Sequence, residues 1–171
     1  MIWVAGWETK LNMIEILCST ICSGKSTWCR ILAENGWIVI NDDAIINAVH
    51  GGNYKLYKEN LKPLYKSVED HILHIAVAMG LDVVVDRGLN NTIRSRKRWV
   101  ALARSLDVSI GARKFPIWSA EEHAIRRVKI DGRGHDYEFW LRVAKIHLES
   151  WQKPTIEEGF DYIEDYEWKT L

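Results

Sequence analysis

A Gly-Lys-Ser-Thr sequence follows an apolar run and a short stretch of small residues near the start of the chain. The backbone of such a loop can curl so that its N–H groups surround a phosphate anion, and Gly24 allows the dihedral angles required. In this pattern Lys25 reaches the β- and γ-phosphates of a nucleoside triphosphate, and the Ser26 hydroxyl is a ligand for Mg²⁺. The sequence therefore predicts a site for ATP and Mg²⁺, formed by Ser23, Gly24, Lys25, Ser26 and Thr27.

The full pattern of such a loop is G-x-x-x-x-G-K-[ST], and Ser19 stands at its first glycine. Serine disfavours a positive φ, so we expect a different backbone path at this end of the loop. The apolar run before the loop and the Trp28, Ile31 and Leu32 stripe after it are typical of a strand followed by an amphipathic helix. This context disfavours the alternative, a chance Gly-Lys-Ser in an ordinary turn.

Carboxylates follow the next two apolar runs, Asp42 after residues 37–40 and Asp86 after residues 81–85. Functional residues gather at the carboxyl ends of strands in open parallel sheets. We predict that Asp42 accepts a proton from a hydroxyl group. Asp86 has the position of a Walker-B carboxylate, near Mg²⁺ or the transferred phosphoryl group. Capping is the alternative role, and either Asp42 or Asp43 is expected to cap the next helix.

Residues 119–152 have the pattern of a lid, with two predicted helices and a glycine-rich tip between them. An arginine at such a tip can stabilise the charge that develops on a transferred phosphoryl group. Arg133 is the first candidate and Arg127 the second. The alternative is a plain helical hairpin whose arginines are solvated.

Two further segments carry cations that could contact an acceptor molecule. One offers aromatic stacking and phosphate contacts, from Tyr54, Lys55, Tyr57 and Lys58, although a solvated face explains it equally well. The other is a predicted helix from Thr92 to Leu106, with Ile93, Val100 and Ala103 facing inward. Its exposed side is expected to be basic and simply solvated, from Arg94, Arg96, Lys97 and Arg98. Residues 160–163 are predicted to form a final strand, and the acidic tail after them is interpreted as a solvated end.

The bulk composition limits the class of protein. The chain has 171 residues, the length of one domain, and a formal net charge of zero, which gives no indication of a nucleic-acid or membrane surface. No apolar run reaches transmembrane length, and no signal-peptide pattern occurs. Three cysteines near the predicted loop indicate reduced thiols and a cytoplasmic location, with burial favoured over a zinc site: Cys18, Cys22 and Cys29.

Strands alternate with helices along the chain, which predicts an α/β fold of the three-layer P-loop NTPase type. Its parallel sheet is flanked by helices and carries the helical lid. Residues 13–171 form one predicted domain. Residues 1–12 are interpreted as an extension of undecided structure, with Met13 as a candidate for the true start.

The motifs together resemble the small P-loop kinases grouped around phage polynucleotide 5′-kinase, with zeta-toxin-like kinases as relatives. The matching stretches are SGKSTW, INDD, VVVDRGLN, the arginine-bearing lid and PTIEEGFDYI. The resemblance implies that Lys25 and Ser26 belong to the phosphate loop and that Asp42 is the general base. It also implies that Asp86 is the carboxylate after the third strand and that Arg133 is the lid arginine.

The chain departs from this family at two positions on the acceptor side. Ile45 stands where the phage kinase has an arginine that holds the acceptor's 3′-phosphate, and Asp86-Arg87-Gly88-Leu89 replaces Asp-Thr-Asn-Leu. The resemblance thus implies an ATP-dependent kinase whose acceptor is a polynucleotide 5′-hydroxyl or a nucleoside-like group. A sugar or nucleotide-sugar acceptor is the alternative, and a non-catalytic ATP-binding module is a third hypothesis.

Overall fold

The structure is a computed structural model that describes residues 12–88, 90–130 and 134–166. Within these ranges, strands and α-helices alternate along the chain. The strands are β1 (Met13–Cys18), β2 (Ile38–Asn41), β3 (Val83–Asp86), β4 (Ser109–Lys114) and β5 (Tyr162–Asp165). The helices are α1 (Lys25–Glu34), α2 (Asp42–Val49), α3 (Lys62–Ala78), α4 (Ile93–Ser105), α5 (Ala120–Ile130) and α6 (Tyr137–Glu149). Short 3₁₀-helices cover Tyr54–Leu56, Glu59–Leu61 and Ile156–Glu158.

The five strands form one sheet in the order β2-β3-β1-β4-β5, and every neighbouring pair is parallel. The predicted α/β fold is therefore confirmed. Asn41, the last residue of β2, lies in register with Asp86, the last residue of β3. The carboxyl ends of β1, β2 and β3 thus meet at one edge of the sheet, where the candidate residues follow them.

The sheet separates two layers of helices because successive strand residues face opposite sides. Ile14 and Ile16 of β1 pack in a buried cluster with Leu73 of α3 and Trp99 of α4. Leu17 of β1 faces the other side and packs in the cluster that contains Cys29 and Leu32 of α1. Helix α1 and helices α2 to α4 are thereby fixed on opposite faces of the strands that carry the site.

The prediction of a basic exposed side on α4 is wrong for Arg96, which is fully buried. Its Nε and Nη2 donate to Glu158, at 2.8 and 2.7 Å. Ile93 was expected to face inward but is 44% exposed. Arg98 donates to Glu69 and Asp70 of α3. Half of the predicted basic surface is therefore occupied by ion pairs inside the protein.

The prediction for residues 1–12 lies almost wholly outside the described residues. Asn12 is described, and its Nδ2 donates to Val77 O of α3 at 2.7 Å. Cys18 and Cys29 are buried, as expected, and Cys22 is partly exposed; all three are free thiols. No helix in the described ranges has the length and apolar character needed to cross a membrane.

Candidate active site

The loop between β1 and α1 has the curled path that its sequence predicts. The left-handed residues of the loop are Cys22, with φ 55°, and Gly24, with φ 99°. Ser19 is not left-handed, so no positive φ is required where the pattern has its first glycine. Its side chain is buried, and Oγ donates to Pro116 O at 3.3 Å. A small residue thus occupies this buried position.

The Lys25 ammonium lies inside the curl of the loop. Its Nζ donates to Thr20 O at 2.6 Å and to Ser23 Oγ at 3.3 Å, and the residue is only 8% exposed. Burial lowers the Lys25 pKa, while the nearby Asp86 carboxylate opposes this effect. Gly24 caps α1, so the helix N-terminus adds unpaired N–H groups beside the ammonium. The loop therefore presents a concentrated cationic surface to an anion.

Ser26 and Asp86 lie together at the carboxyl ends of β1 and β3. Ser26 Oγ donates to Asp86 Oδ2 at 3.0 Å, and Asn41 Nδ2 donates to the same oxygen at 3.3 Å. A hydroxyl and a carboxylate oxygen this close suit a hard divalent cation such as Mg²⁺, which keeps several waters and needs few protein ligands. The residues present thus fit Mg²⁺. Among the described residues, no group of three His, Cys, Asp or Glu forms a metal site.

Asp42 is the first residue of α2 and does not cap the helix, nor does Asp43. The cap is Asn41, whose Oδ1 accepts from Ala44 N at 2.8 Å. The Asp42 carboxylate is therefore available for another role. Burial raises its pKa from 3.8 to about 6, although Arg87 lowers it and Asp43 raises it further. A carboxyl with such a pKa is a proton acceptor near neutral pH.

Two cavities are lined by these residues, one by Ser26 and one by Asp42. The first, the loop cavity, has a volume of about 340 Å³ and is lined by the phosphate loop and the last turns of α5. Its loop residues include all five that the sequence predicts for nucleotide binding: Ser23, Gly24, Lys25, Ser26 and Thr27. The shared lining of loop and α5 fits a nucleoside triphosphate on one side of the candidate residues.

The second, the tyrosine cavity, also measures about 340 Å³ and lies beside Asp42. Its wall contains Asp42, Ile46, Tyr54, Tyr57, Lys62, Tyr65, Lys66, Glu69 and Arg87. Of the segment predicted to contact an acceptor, Tyr54 and Tyr57 line the cavity, whereas Lys55 and Lys58 do not. Ile45, at the position of the family's arginine, packs in the hydrophobic core.

Comparison with known proteins shows the family to which this chain belongs. A family model, AAA_33, described as an AAA domain, matches residues 16–138, which is more than half of the chain. The chain belongs to the AAA_33 family. No curated protein sequence matches it.

Solved structures that resemble this AAA_33 protein share its fold at low sequence identity. A chain of the Pnkp1/Rnl/Hen1 RNA repair complex is 17% identical, with a TM-score of 0.63 over 83% of this chain and 47% of that one. Shikimate kinase from Bacteroides thetaiotaomicron is 15% identical, with a TM-score of 0.56 over 90% and 85%. A sugar kinase from Janibacter sp. HTCC2649 is 16% identical, with a TM-score of 0.56 over 91% and 85%. The protein thus has a P-loop kinase-like fold and spans about half the length of the matched chains of the RNA repair complex.

Of the two arginines that the sequence predicts for a lid, the structure of this AAA_33 protein describes one. Arg133 lies outside the described residues. Arg127 lines the loop cavity, and its guanidinium lies 4.6 Å from the centre of the Trp140 ring of α6. Arg126 lines the same cavity and stacks on Trp118 at 3.6 Å. Helix α5 thus places two guanidinium groups, each supported by a tryptophan face, beside the phosphate loop.

His123 also belongs to this site, although no motif in the sequence pointed to it. It is fully buried on α5, and its Nε2 accepts from Trp118 N at 3.1 Å and pairs with Thr20 Oγ1 at 2.7 Å. Since Trp118 N can only donate, Nε2 is the unprotonated nitrogen, and the Thr20 hydroxyl donates to it. Burial lowers the His123 pKa to about 4, so the ring stays neutral. A neutral histidine therefore ties α5 to the phosphate loop of this AAA_33 protein.

The raised pKa of Asp42 predicts a pH-dependent effect of Asp42→Asn on stability. Below pH 3.8 the Asp42 carboxyl is protonated in both the folded and the unfolded chain, so the substitution has little effect on the free energy of unfolding. Between pH 3.8 and 6 the Asp42 carboxyl ionises in the unfolded chain but stays largely protonated in the folded one. The free energy of unfolding therefore falls as the pH rises. Asparagine avoids this loss. We expect it to increase the free energy of unfolding by about 1–3 kcal/mol at pH 7.5 and by almost nothing at pH 3.5.

Urea unfolding at the two pH values measures this difference. Asp43→Asn is the matched control because Asp43 also lies in the first turn of α2, where either carboxylate interacts with the helix dipole. An equal change in the two variants at pH 7.5 would contradict a specific cost of burying the Asp42 charge.

Proposed function

We propose that the protein is an ATP-dependent phosphotransferase, which transfers the γ-phosphoryl group of ATP to a hydroxyl of an acceptor bound in the tyrosine cavity. The observation that carries the proposal is the position of Asp42 and of the Ser26–Asp86 pair. They follow adjoining strand ends, with Asn41 next to Asp42 and bonded to Asp86; Ser26 lines the loop cavity and Asp42 lines the tyrosine cavity. A donor site, a base and an acceptor site in this order are what in-line transfer requires.

Each residue has one task in the proposed reaction. The loop N–H groups and Lys25 bind the β- and γ-phosphates and neutralise charge that develops on them. Asp42 accepts the proton of the acceptor hydroxyl as its oxygen attacks phosphorus. Ser26 and Asp86 would hold Mg²⁺, which when bound screens the phosphate oxygens. Arg127 supplies positive charge from α5, and the sequence pattern assigns the same task to Arg133, which lies outside the described residues.

The acceptor that we favour is a nucleoside-like group, either free or at the 5′-hydroxyl end of a polynucleotide. Tyr54 and Tyr57 are stacked at 6.3 Å and Tyr57 and Tyr65 at 5.8 Å, so the cavity has a wall of flat aromatic rings on which a base can lie. The similarity to a chain of an RNA repair complex supports this choice.

A small metabolite, such as a sugar or a hydroxy acid, is the second candidate acceptor. The tyrosine cavity of about 340 Å³ has the size of a single small molecule. The similarity to a shikimate kinase and to a sugar kinase supports this alternative. The buried free thiols support a cytoplasmic location for either activity.

The test is a transfer assay with γ-labelled ATP and Mg²⁺. The acceptors are 5′-hydroxyl DNA and RNA oligonucleotides, nucleosides, nucleotides and hydroxylated metabolites. We expect label on a nucleoside-bearing acceptor, a strong loss with Lys25→Ala, and full transfer with the matched surface variant Lys97→Ala. Label on a sugar or hydroxy acid alone would establish the second candidate.

A nucleotide-binding module without catalysis makes a different prediction in the same assay. Such a module would bind ATP and transfer no label to any acceptor of the panel. The presence of Asp42 and Asp86 with suitable partners argues against it. Transfer that is lost in Asp42→Asn, while ATP binding persists, would exclude the regulatory module.

A further inference from the structure

Arg87 is the cation nearest to the proposed base, and its hydrogen-bonding groups are largely unused. Its Nε lies 3.5 Å from Asp42 Oδ2 and 3.4 Å from Glu69 Oε1. Nε is buried, and within the described ranges neither it nor the rest of the guanidinium makes a hydrogen bond. The side chain is 12% exposed and lines the tyrosine cavity. A guanidinium carries five donors, so this one can still bind an anion.

The charges around Arg87 leave the cavity with an excess of positive charge. Glu69 is only 1% exposed and is already engaged by Arg98, whose Nη1 donates to it at 2.6 Å. Lys66 also lines the cavity and forms no ion pair with a carboxylate of the described residues. The wall thus holds two carboxylates, from Asp42 and Glu69, and three cations, from Lys62, Lys66 and Arg87. Lys62 is paired with Glu59, which does not line the cavity, at 2.6 Å. Arg87 and Lys66 therefore outnumber Asp42 among the charges of the wall that remain. Such a wall attracts an anionic molecule.

We propose that Arg87 binds an anionic group of the acceptor, a phosphate or a carboxylate, and thereby selects acceptors that carry such a group close to the reacting hydroxyl. The proposal rests on the proposed function, because it takes the tyrosine cavity as the acceptor site. Arg87 stands directly after Asp86 at the end of β3, so its backbone is fixed by the sheet. The planar guanidinium matches the two oxygens of either anion.

The short distance between Arg87 and Asp42 limits the shape of the acceptor. The hydroxyl must reach Asp42 and the anion must reach Arg87, and these side chains are 3.5 Å apart. With hydrogen bonds of ~2.8 Å at each end, the hydroxyl and an anion oxygen lie within roughly 9 Å of each other. The anionic group must then be on the same ring as the hydroxyl or on a substituent next to it. The ring itself can lie on the wall formed by Tyr54 and Tyr57.

The experiment uses two pairs of molecules that differ only in the anion: a nucleoside and its 3′-monophosphate, and a cyclic hydroxy acid and its methyl ester. Binding to the full chain saturated with ADP and Mg²⁺ is measured by calorimetry, so that the phosphate loop is filled and the readout does not depend on catalysis. We expect one anionic member to bind at least tenfold more tightly than its neutral partner. The pair that shows the preference identifies the anion as phosphate or carboxylate.

Arg87→Gln tests whether Arg87 causes the preference. We expect the affinity for the anionic member to fall roughly 10- to 100-fold and the affinity for the neutral member to stay unchanged. In the transfer assay this appears as a raised KM for the anionic acceptor, with kcat changed only slightly. Arg94→Gln is the matched control, an exposed arginine on α4 outside the cavity. Arg87→Lys keeps the positive charge but loses the planar guanidinium. Its affinity for the anionic member should lie between those of the wild type and Arg87→Gln.

Several outcomes would overturn the proposal. They are equal binding of the two members in both pairs, no binding of either anion, and an equal loss for charged and neutral members in Arg87→Gln. Because Arg98 continues to pair with Glu69, Arg87→Gln is expected to fold, and ADP binding verifies this. ATP-dependent transfer that persists without any preference for anions would refute the role of Arg87 and leave the proposed function intact.

Discussion

Asp42→Asn is expected to lower the kcat of phosphoryl transfer by about 10²- to 10⁴-fold, the usual contribution of a positioned general base. Asparagine has nearly the same shape but cannot take up the proton of the acceptor hydroxyl. The Asp42 side chain is 24% exposed, and its partners are Arg87 and the N–H of Asp43. Asparagine still offers both partners an oxygen acceptor, so the fold should be kept. ATP affinity should therefore stay within a few-fold of the wild type.

The pH dependence of the reaction provides an independent measurement of the same role. The pKa of Asp42 is raised to about 6, mainly by burial, so kcat/KM should rise as the pH increases through about 6 and the carboxyl loses its proton. The charged groups that face it are Arg87, Asp43 and Glu69. Asp43→Asn, the control on the same helical turn, should keep most of the activity. A small effect of Asp42→Asn, or an equal loss in Asp43→Asn, would refute the assignment of the base.

Lys25→Met is expected to lower kcat by about 10³-fold, with a smaller loss of ATP affinity. The Lys25 ammonium is buried in the curl of the loop, where it is held by Thr20 O and Ser23 Oγ. A preorganised charge in such a site acts chiefly on the charge that develops during transfer, so kcat suffers more than binding. Burial disfavours the charged form of Lys25, and methionine should therefore not reduce the stability of the fold.

Single-turnover transfer and equilibrium binding of ATP separate the two effects of Lys25→Met. Lys97→Met, an exposed position on α4, is the matched control and should behave as the wild type. Lys25→Arg tests whether charge alone suffices. We expect it to be impaired as well, because the buried position leaves little room for a guanidinium. A kcat within tenfold of the wild type in Lys25→Met would contradict the assignment of the phosphate loop.

The sequence predicted the architecture because its signals are local. The apolar runs, the glycine-rich loop and the alternation of strands with helices depend on neighbouring residues, and the five parallel strands confirm them. The same holds for the meeting of Ser26 and Asp86, since both follow strands whose carboxyl ends share an edge of the sheet. The roles of these residues remain predictions, as do those of Asp42 and Arg127.

The prediction of the α2 cap failed because it depended on which of several equivalent groups the backbone selects. Asn41, Asp42 and Asp43 can all cap a helix, and the extended conformation at the end of β2 gives the position to Asn41. In the loop, the left-handed positions fall at Cys22 and Gly24 and not at Ser19, which a pattern of residue types does not specify. Such choices of one residue are made by backbone geometry, which a pattern of residue types does not contain.

The sequence by itself determined the fold class, the phosphate loop and the strand ends at which the candidate residues lie. Only the tertiary structure decided what faces them. Arg96 and Glu158 pair across 62 residues of chain, and Thr20 is held by His123 from 103 residues away. The tyrosine cavity likewise joins α2, α3 and the end of β3. The physical reason is that contacts between distant segments depend on packing in three dimensions, whereas periodicity and motifs record only what each segment does with its neighbours.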